Sequence, residues 1–547
     1  MAEDRPARLI GTSAAAPMAS RRSLLQGALG AGLLALAGRN AAAQSRGLSR
    51  SPEPAVAGEA RGPLGTLPRH ALVIGNSRYQ ESPLRNPAND ARAIADTLKQ
   101  AGFEVAESLD ATREAMLQAI EAYSGRLQQQ RAVGLFYFAG HGVQLAWRNY
   151  LIPVDAVVDN EEDIRTRAVD LGALLGGLGR AKNPMNIVIL DACRDNPFGR
   201  RFPLGQKGLS QFDAPPGSLL AYATAPGNVA SDGQGKNGLY TENLLREIRI
   251  PEAKIEDVFK RVRLNVRRRS HGRQIPWEST SLEEDFYFLP PKEPGKLPEA
   301  VATQRFDEEL AIWERIKDAT EPAPLEDYLR RYPSGRFAEL AQFQLDRVLA
   351  RQGEKTIALA PSEGNPYTKG TARIDTHFRL GDSYSYRQID LYTRIEERTF
   401  TTRVTKINEN QVIFNEGRVV TDLFGNFIKR GNWQYTGAQF FIAEYSVGKK
   451  WTTRFRAVTP KGFTTDTEFE FRVVAREPVK VPAGTFDAYR VEGQGWGVAP
   501  TGNVDVQSSY WVAPGVRRPV ASEMLRRHSS GKVLTSTRQE LTAYSQG

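Results

Sequence analysis

The residues best suited to chemistry are a cysteine and a histidine at the ends of two apolar runs. Asn186-Ile187-Val188-Ile189-Leu190 leads into Asp191-Ala192-Cys193, and Cys193 is the only cysteine in 547 residues. Val133-Gly134-Leu135-Phe136-Tyr137-Phe138-Ala139 leads into Gly140-His141-Gly142. A thiol is mostly protonated near neutral pH, and a neighbouring imidazole makes it a nucleophile by stabilising the thiolate. Cys193 would attack a carbonyl carbon; His141 would protonate the leaving amine and then activate water. A single cysteine also excludes an intrachain disulfide, so the thiol has no structural partner of its own kind.

The elements that must position this pair follow from the pattern around them. A short β-branched run between Pro184 and Pro197 reads as a buried parallel strand. In open α/β sheets, chemistry gathers at the carboxyl ends of such strands. Glycines on both sides of His141 let the backbone turn and leave the imidazole uncovered. The two residues are 193 − 141 = 52 positions apart, room for a strand–helix–strand crossover with a helix over 171–181. Further strands are expected at 70–76, 103–107 and 218–224, with 285–289 closing the sheet. Helices are expected from 89 to 98, 110 to 129, 239 to 248 and 255 to 268. Alternating strands and helices over 69–290 predict a three-layer α/β sandwich with a mainly parallel sheet.

Tyr137-Phe138-Ala139-Gly140-His141-Gly142 followed by Leu190-Asp191-Ala192-Cys193-Arg194-Asp195-Asn196-Pro197-Phe198 resembles the catalytic pair of caspase-like cysteine peptidases. It is closer to the bacterial, metacaspase-type branch than to animal caspases. Residues 223–227 and 274–277 resemble later landmarks of the same family. The resemblance implies a cysteine endopeptidase with a Cys193–His141 dyad acting on protein or peptide substrates. It places the oxyanion on the backbone N–H groups of Gly142 and Cys193 and requires no third orienting residue. Metacaspase-type enzymes set acids around the pocket and cleave after Arg or Lys. Asp191 and Asp90 match two such positions, and a carboxylate pair suits a guanidinium. Ala139 stands where the family often carries a hydroxyl.

Some metacaspases bind calcium through acids after the histidine strand. Asp155 matches one such position, with Asp159, Asp163 and Asp170 nearby. Their spacing does not fit the calcium-loop pattern, and Arg200 stands where a further acid is usual. No metal ligand and no obligate cofactor is therefore predicted, and calcium stays an alternative that the spacing does not support. The loop 194–217 carries Arg194, Arg200, Arg201 and Lys207, which makes it a candidate for self-cleavage.

Residues 1–45 read as a targeting segment. Ser20-Arg21-Arg22-Ser23-Leu24-Leu25-Gln26 resembles a twin-arginine export motif, a short Ala/Gly/Leu run follows, and Ala41-Ala42-Ala43 reads as a cleavage site. A periplasmic or exported protein is expected, the alternative being a membrane anchor left uncleaved. Residues 46–68 read as a linker. From 304 to 351 the apolar period is helical, with Phe306, Leu310, Trp313 and Ile316 on one face. From 368 to 545 it alternates with period two, with turns at 408–410 and 424–426. This part predicts an all-β accessory domain, and it resembles envelope-associated domains with a curved or half-barrel sheet. It has no catalytic constellation, so binding to an envelope partner is its expected role.

Composition is that of soluble globular chains: 40% hydrophobic, 25% charged and a net charge of +10. The densest basic cluster, Arg261, Arg263, Arg267, Arg268, Arg269 and Arg273, reads as a solvated helix end that complements the helix dipole. No aromatic-interleaved motif points to nucleic acid. A monomer is expected. The rival readings are a catalytically silent envelope scaffold and a different Cys-His hydrolase on the same sheet.

Overall fold

The computed structural model describes residues 64–193, 197–198, 208–225, 235–282, 284–291, 299–354, 371–499 and 502–547. The expected targeting segment, most of the linker before the first domain, and Arg194, Arg200, Arg201 and Lys207 lie outside the described residues.

The first domain is built from β1 (Arg69–Gly75), α1 (Pro87–Gln100), β2 (Glu104–Leu109), α2 (Arg113–Gln129) and β3 (Val133–Leu145). There follow β4 (Arg148–Leu151), α3 (Glu161–Arg167), β5 (Val169–Asp170), α4 (Leu171–Ala181) and β6 (Met185–Cys193). It ends with β7 (Ser218–Tyr222), α5 (Leu239–Ile248), α6 (Ile255–Arg269) and β8 (Trp277–Thr280). The sheet runs β2-β1-β3-β6-β7-β8, with every pairing parallel except β7 with β8. β4 and β5 extend from the end of β3.

The sheet is buried on both faces. Ala71, Val73, Leu135, Tyr137, Ile187 and Ile189 pack beneath α1, α5 and α6. Leu72, Ile74, Phe136, Phe138, Val188 and Leu190 pack against α2 and α4. This is the three-layer sandwich that uninterrupted apolar strands predict. One expected strand is not one. Residues 285–289 make a single bridge, Tyr287 with Lys254, and β8 closes the sheet. Phe286 and Phe288 go into the core beside Phe103, and the Tyr287 and Phe288 carbonyls accept from the Arg69 guanidinium at 3.2 and 2.9 Å. Their backbone hydrogen bonds go to an arginine rather than a ladder.

Three helices follow: α7 (Glu299–Ile316), α8 (Pro322–Arg331) and α9 (Ala338–Arg351). Phe306, Trp313, Leu325, Tyr328 and Phe337 form their core, which also takes in Leu264 of α6. The arginines of α6 serve this junction. Arg267 pairs with Asp346 (2.6 Å) and Glu354 (2.7 Å), Arg261 with Glu247 (2.7 Å), and Arg263 with Glu278. Arg268 and Arg269 stay about half exposed, but also pair with Glu326 and Glu242. The expectation of a solvated helix end is thus corrected for Arg261, Arg263 and Arg267, which are held by acids from packed neighbours, while Arg268, Arg269 and Arg273 are exposed.

The last domain closes where a half-barrel was expected. β9 (Ala372–Arg373) and β16 (Glu444–Tyr445) form a separate two-stranded ribbon. The barrel strands are β10 (Ser383–Asp390), β11 (Glu396–Ile407), β12 (Val412–Phe414), β13 (Val419–Thr421), β14 (Phe427–Arg430) and β15 (Trp433–Thr436). They continue with β17 (Lys450–Val458), β18 (Thr464–Val481), β19 (Gly484–Ala499), β20 (Gly502–Val512), β21 (Ala521–His528) and β22 (Val533–Ser545). The twelve pair in sequence, and β22 returns to β10. The turns expected at 408–410 and 424–426 join β11 to β12 and β13 to β14. Full closure satisfies both sheet edges, which an open half-barrel leaves unpaired. Leu340 and Phe343 of α9 pack on the barrel core. Among the described residues, no helix is long and apolar enough to cross a membrane.

Candidate active site

β3 and β6 are neighbours in parallel register, Val133 opposite Met185 through His141 opposite Cys193. The histidine and the cysteine backbone therefore share the last rung of the pair, on strands about 4.8 Å apart. The crossover between them uses α4, at the expected 171–181. Two glycines flank the histidine within β3. Gly140 has φ +154°, and a Cβ there would lie 2.5 Å from the Tyr79 hydroxyl oxygen. At Gly142 a Cβ would come within 3.0 Å of the Ala192 Cβ, next to the cysteine.

His141 is buried, at 3% exposure. Its Nε2 lies 2.7 Å from the Ser82 carbonyl oxygen. A carbonyl can only accept, so Nε2 carries the proton and Nδ1 is the basic nitrogen of the neutral ring. The resemblance required no third orienting residue; here a backbone carbonyl sets the tautomer. Ser82 has φ +53°, and its hydroxyl donates to the Pro197 carbonyl at 3.1 Å. It thus touches the imidazole and the segment just after the cysteine. Tyr79 backs the ring, with centroids 4.5 Å apart. Its hydroxyl accepts from the His141 N–H at 2.9 Å and donates to the Ile152 carbonyl at 3.0 Å.

The Ile152 N–H donates to the His141 carbonyl at 3.0 Å. Gly142 and Leu151 consequently form a rung without mutual hydrogen bonds, and the Gly142 N–H is directed away from β4.

The two acids meet at α5. Asp90, 2% exposed in the first turn of α1, accepts from the Asn237 side-chain amide at 2.8 Å and the Gly238 N–H at 3.0 Å. Asp191, opposite Ala139 in the register, accepts from the Thr241 hydroxyl at 2.6 Å. Thr241 in turn lies 2.6 Å from the Tyr137 hydroxyl. Burial, then the charges of Asp191 and Asp90, push the Tyr137 phenol well above its ordinary pKa. Both carboxylates therefore act on one buried hydroxyl. The acids after the histidine strand do not converge. Asp155 accepts from the Arg113 N–H at the start of α2. Asp163 accepts from the Asp159 N–H and pairs with Arg167. Asp170 caps α4 and pairs with Arg148. Among the described residues, no group of three or more His, Cys, Asp or Glu side chains could hold a metal ion.

The model of the caspase domain family matches residues 68–287. Residues 68–287 are a caspase domain. The human mucosa-associated lymphoid tissue lymphoma translocation protein 1 is 28% identical over 179 residues, 32% of this chain and 21% of that protein. Its mouse homologue matches over the same shares. A Desulfuromonadales bacterium protein named as a probable protease is 26% identical over 153 residues, 26% of this chain and 18% of its own length. The chain thus spans about a fifth of the curated relatives it matches.

Tyr79, Ser82, Tyr137, Asn237 and Thr241 of the caspase domain were not legible in the sequence as site residues. Tyr137 carried a signal, since a tyrosine inside a fully apolar strand needs a polar partner. Ser82 acts through its backbone and carried none.

Proposed function

We propose that the protein is a cysteine endopeptidase that uses Cys193 as nucleophile and His141 as acid and base, and cleaves after Arg or Lys. The observation that carries this reading is the His141–Cys193 rung, with Nε2–H held by the Ser82 carbonyl. That tautomer supplies a basic Nδ1 to take the thiol proton. The imidazolium then protonates the leaving amine, and the imidazole activates water to free the acyl-enzyme. The direction of the Gly142 N–H supports its place, with the Cys193 N–H, around the oxyanion.

Asp90 and Asp191 support the preference for a basic residue. An amide, a backbone N–H and a hydroxyl orient their oxygens, and a pair of oriented carboxylates suits a guanidinium or ammonium. The mechanism needs no cofactor, and calcium has no role in it. Self-processing within 194–217 belongs to the same proposal, as do export through the twin-arginine segment, action as a monomer and envelope anchoring by the barrel.

The test is hydrolysis of fluorogenic peptides ending in Arg, Lys or Asp, by the wild type and Cys193→Ala, with and without calcium. The expected result is calcium-independent cleavage after Arg and Lys that Cys193→Ala abolishes. Cleavage after Asp would overturn the roles of the two acids. Activity that survives in Cys193→Ala would overturn the nucleophile.

A further inference from the structure

Both acids of the proposed basic pocket are held by one five-residue segment, the entry and first turn of α5. Asn237 and Gly238 hold Asp90 of α1, and Thr241 holds Asp191 of β6. These bonds join positions 147, 148 and 50 residues apart in sequence. The chain of hydroxyls has a definite direction. An ionised Asp191 only accepts, so the single Thr241 hydroxyl hydrogen points to it. The Tyr137 hydroxyl must then donate to Thr241 Oγ1, at 2.6 Å. Tyr137, Thr241 and Asn243 are fully buried, and Tyr240 nearly so, which fixes the turn against the sheet. A hydrogen bond gains strength in such a low-dielectric setting.

We propose that the Asn237–Thr241 segment is a clamp that sets the spacing and aim of the two carboxylates, with Thr241 as the specificity-determining positioning residue and Tyr137 behind it. The proposal rests on the reading that this pocket takes a basic substrate residue. A basic side chain that bridges two carboxylates gains only if both oxygens are already aimed. A carboxylate that must reorient loses much of that gain as ordering entropy. The clamp therefore acts on binding of the basic residue and leaves the thiol chemistry unchanged.

The test compares Thr241→Val, which keeps the shape and removes the hydroxyl, with Thr241→Ser, which restores it. Each is assayed on paired peptides ending in Arg and in citrulline, its neutral isostere. Thr241→Val is expected to raise KM for the Arg peptide about ten- to a hundredfold, the range for losing a hydrogen bond to a charged group. Its kcat should stay within about twofold, and Thr241→Ser should return KM close to wild type. Tyr137→Phe leaves the Thr241 side chain in place and should shift KM the same way by less, which keeps the proposal testable if Thr241→Val does not fold. A fall in kcat for both peptides with KM unchanged would overturn the clamp, as would Arg and citrulline peptides losing equally. A wild type that prefers Arg while Thr241→Val matches it overturns the clamp alone. A wild type with no preference for Arg over citrulline overturns the pocket reading beneath it.

Discussion

In the caspase domain, Asp90 and Asp191 are held by an amide, a backbone N–H and a hydroxyl. In the barrel domain, Asp375, Asp382, Glu523 and Glu540 are held by arginines. Arg517 reaches Asp375 at 2.7 Å and Asp382 at 2.6 Å, and its own side chain is 7% exposed. Arg387 and Arg538 both close on Glu540, at 2.8 and 2.7 Å. Arg538 also reaches Glu523. A cationic partner neutralises the acid and ties strands together. The neutral donors at Asp90 and Asp191 fix the geometry of those acids. The proposed function makes Asp90 and Asp191 a functional set beside the structural set of the barrel.

The largest effect should come from breaking the structural set. Arg517→Met takes the shared cation from Asp375 and from the buried Asp382, and breaking a buried pair costs about 3–5 kcal/mol. Thermal or urea unfolding should register the full loss, while kcat/KM per folded molecule stays unchanged. A loss of activity without a loss of stability would reverse the contrast.

The converse is Asp191→Asn. It keeps the shape and removes the charge, so kcat/KM on Arg peptides should fall by about a hundredfold, or about 3 kcal/mol. Its melting temperature should fall far less than in Arg517→Met, because the amide oxygen of Asn can still accept from the Thr241 hydroxyl. Melting that drops as far as in Arg517→Met would place Asp191 in the structural set.

Asp422 sharpens the comparison from a third side, as a barrel acid held by neutral donors. Burial pushes its carboxyl up to about 6, against the N–H groups of Asn426 and Phe424. A raised folded-state value means its stabilising contribution is full below the unfolded value near 4 and is lost as pH rises through 6. The shift of about two pH units corresponds to about 3 kcal/mol at most. Melting temperature should therefore decline between pH 4 and 7 from this group, and the decline should flatten in Asp422→Asn, which cannot titrate. An unchanged slope would remove the assignment.

The smallest effect concerns Tyr79→Phe. It takes away the acceptor of the His141 N–H and the donor to the Ile152 carbonyl, both buried. About 1–3 kcal/mol of stability should go, as for an unsatisfied buried group. Because this tyrosine also backs the imidazole, kcat should fall with KM little changed. A pure stability loss would make Tyr79 a packing residue only.

Much of the caspase domain was legible in the sequence because its signals are local. Apolar runs and helical periods place α4, α5 and α6 within a residue of where they lie and locate β3 and β6, but β3 runs on past the histidine to Leu145 and β6 through Cys193. The 285–289 segment misled for a physical reason: alternating Phe286 and Phe288 fit a strand equally well, but Arg69 takes the Tyr287 and Phe288 carbonyls.

The sequence by itself determined which residues could react. A lone cysteine and a glycine-flanked histidine at two strand ends need no tertiary information to be read. Only the tertiary structure decided how they are set. The His141–Cys193 rung is a matter of register. The tautomer depends on a carbonyl 59 residues away, and Asp191 on a hydroxyl 50 residues away. Barrel closure depends on β22 finding β10 across the whole domain. Such partners are chosen by three-dimensional proximity, and a backbone carbonyl leaves no trace in residue type.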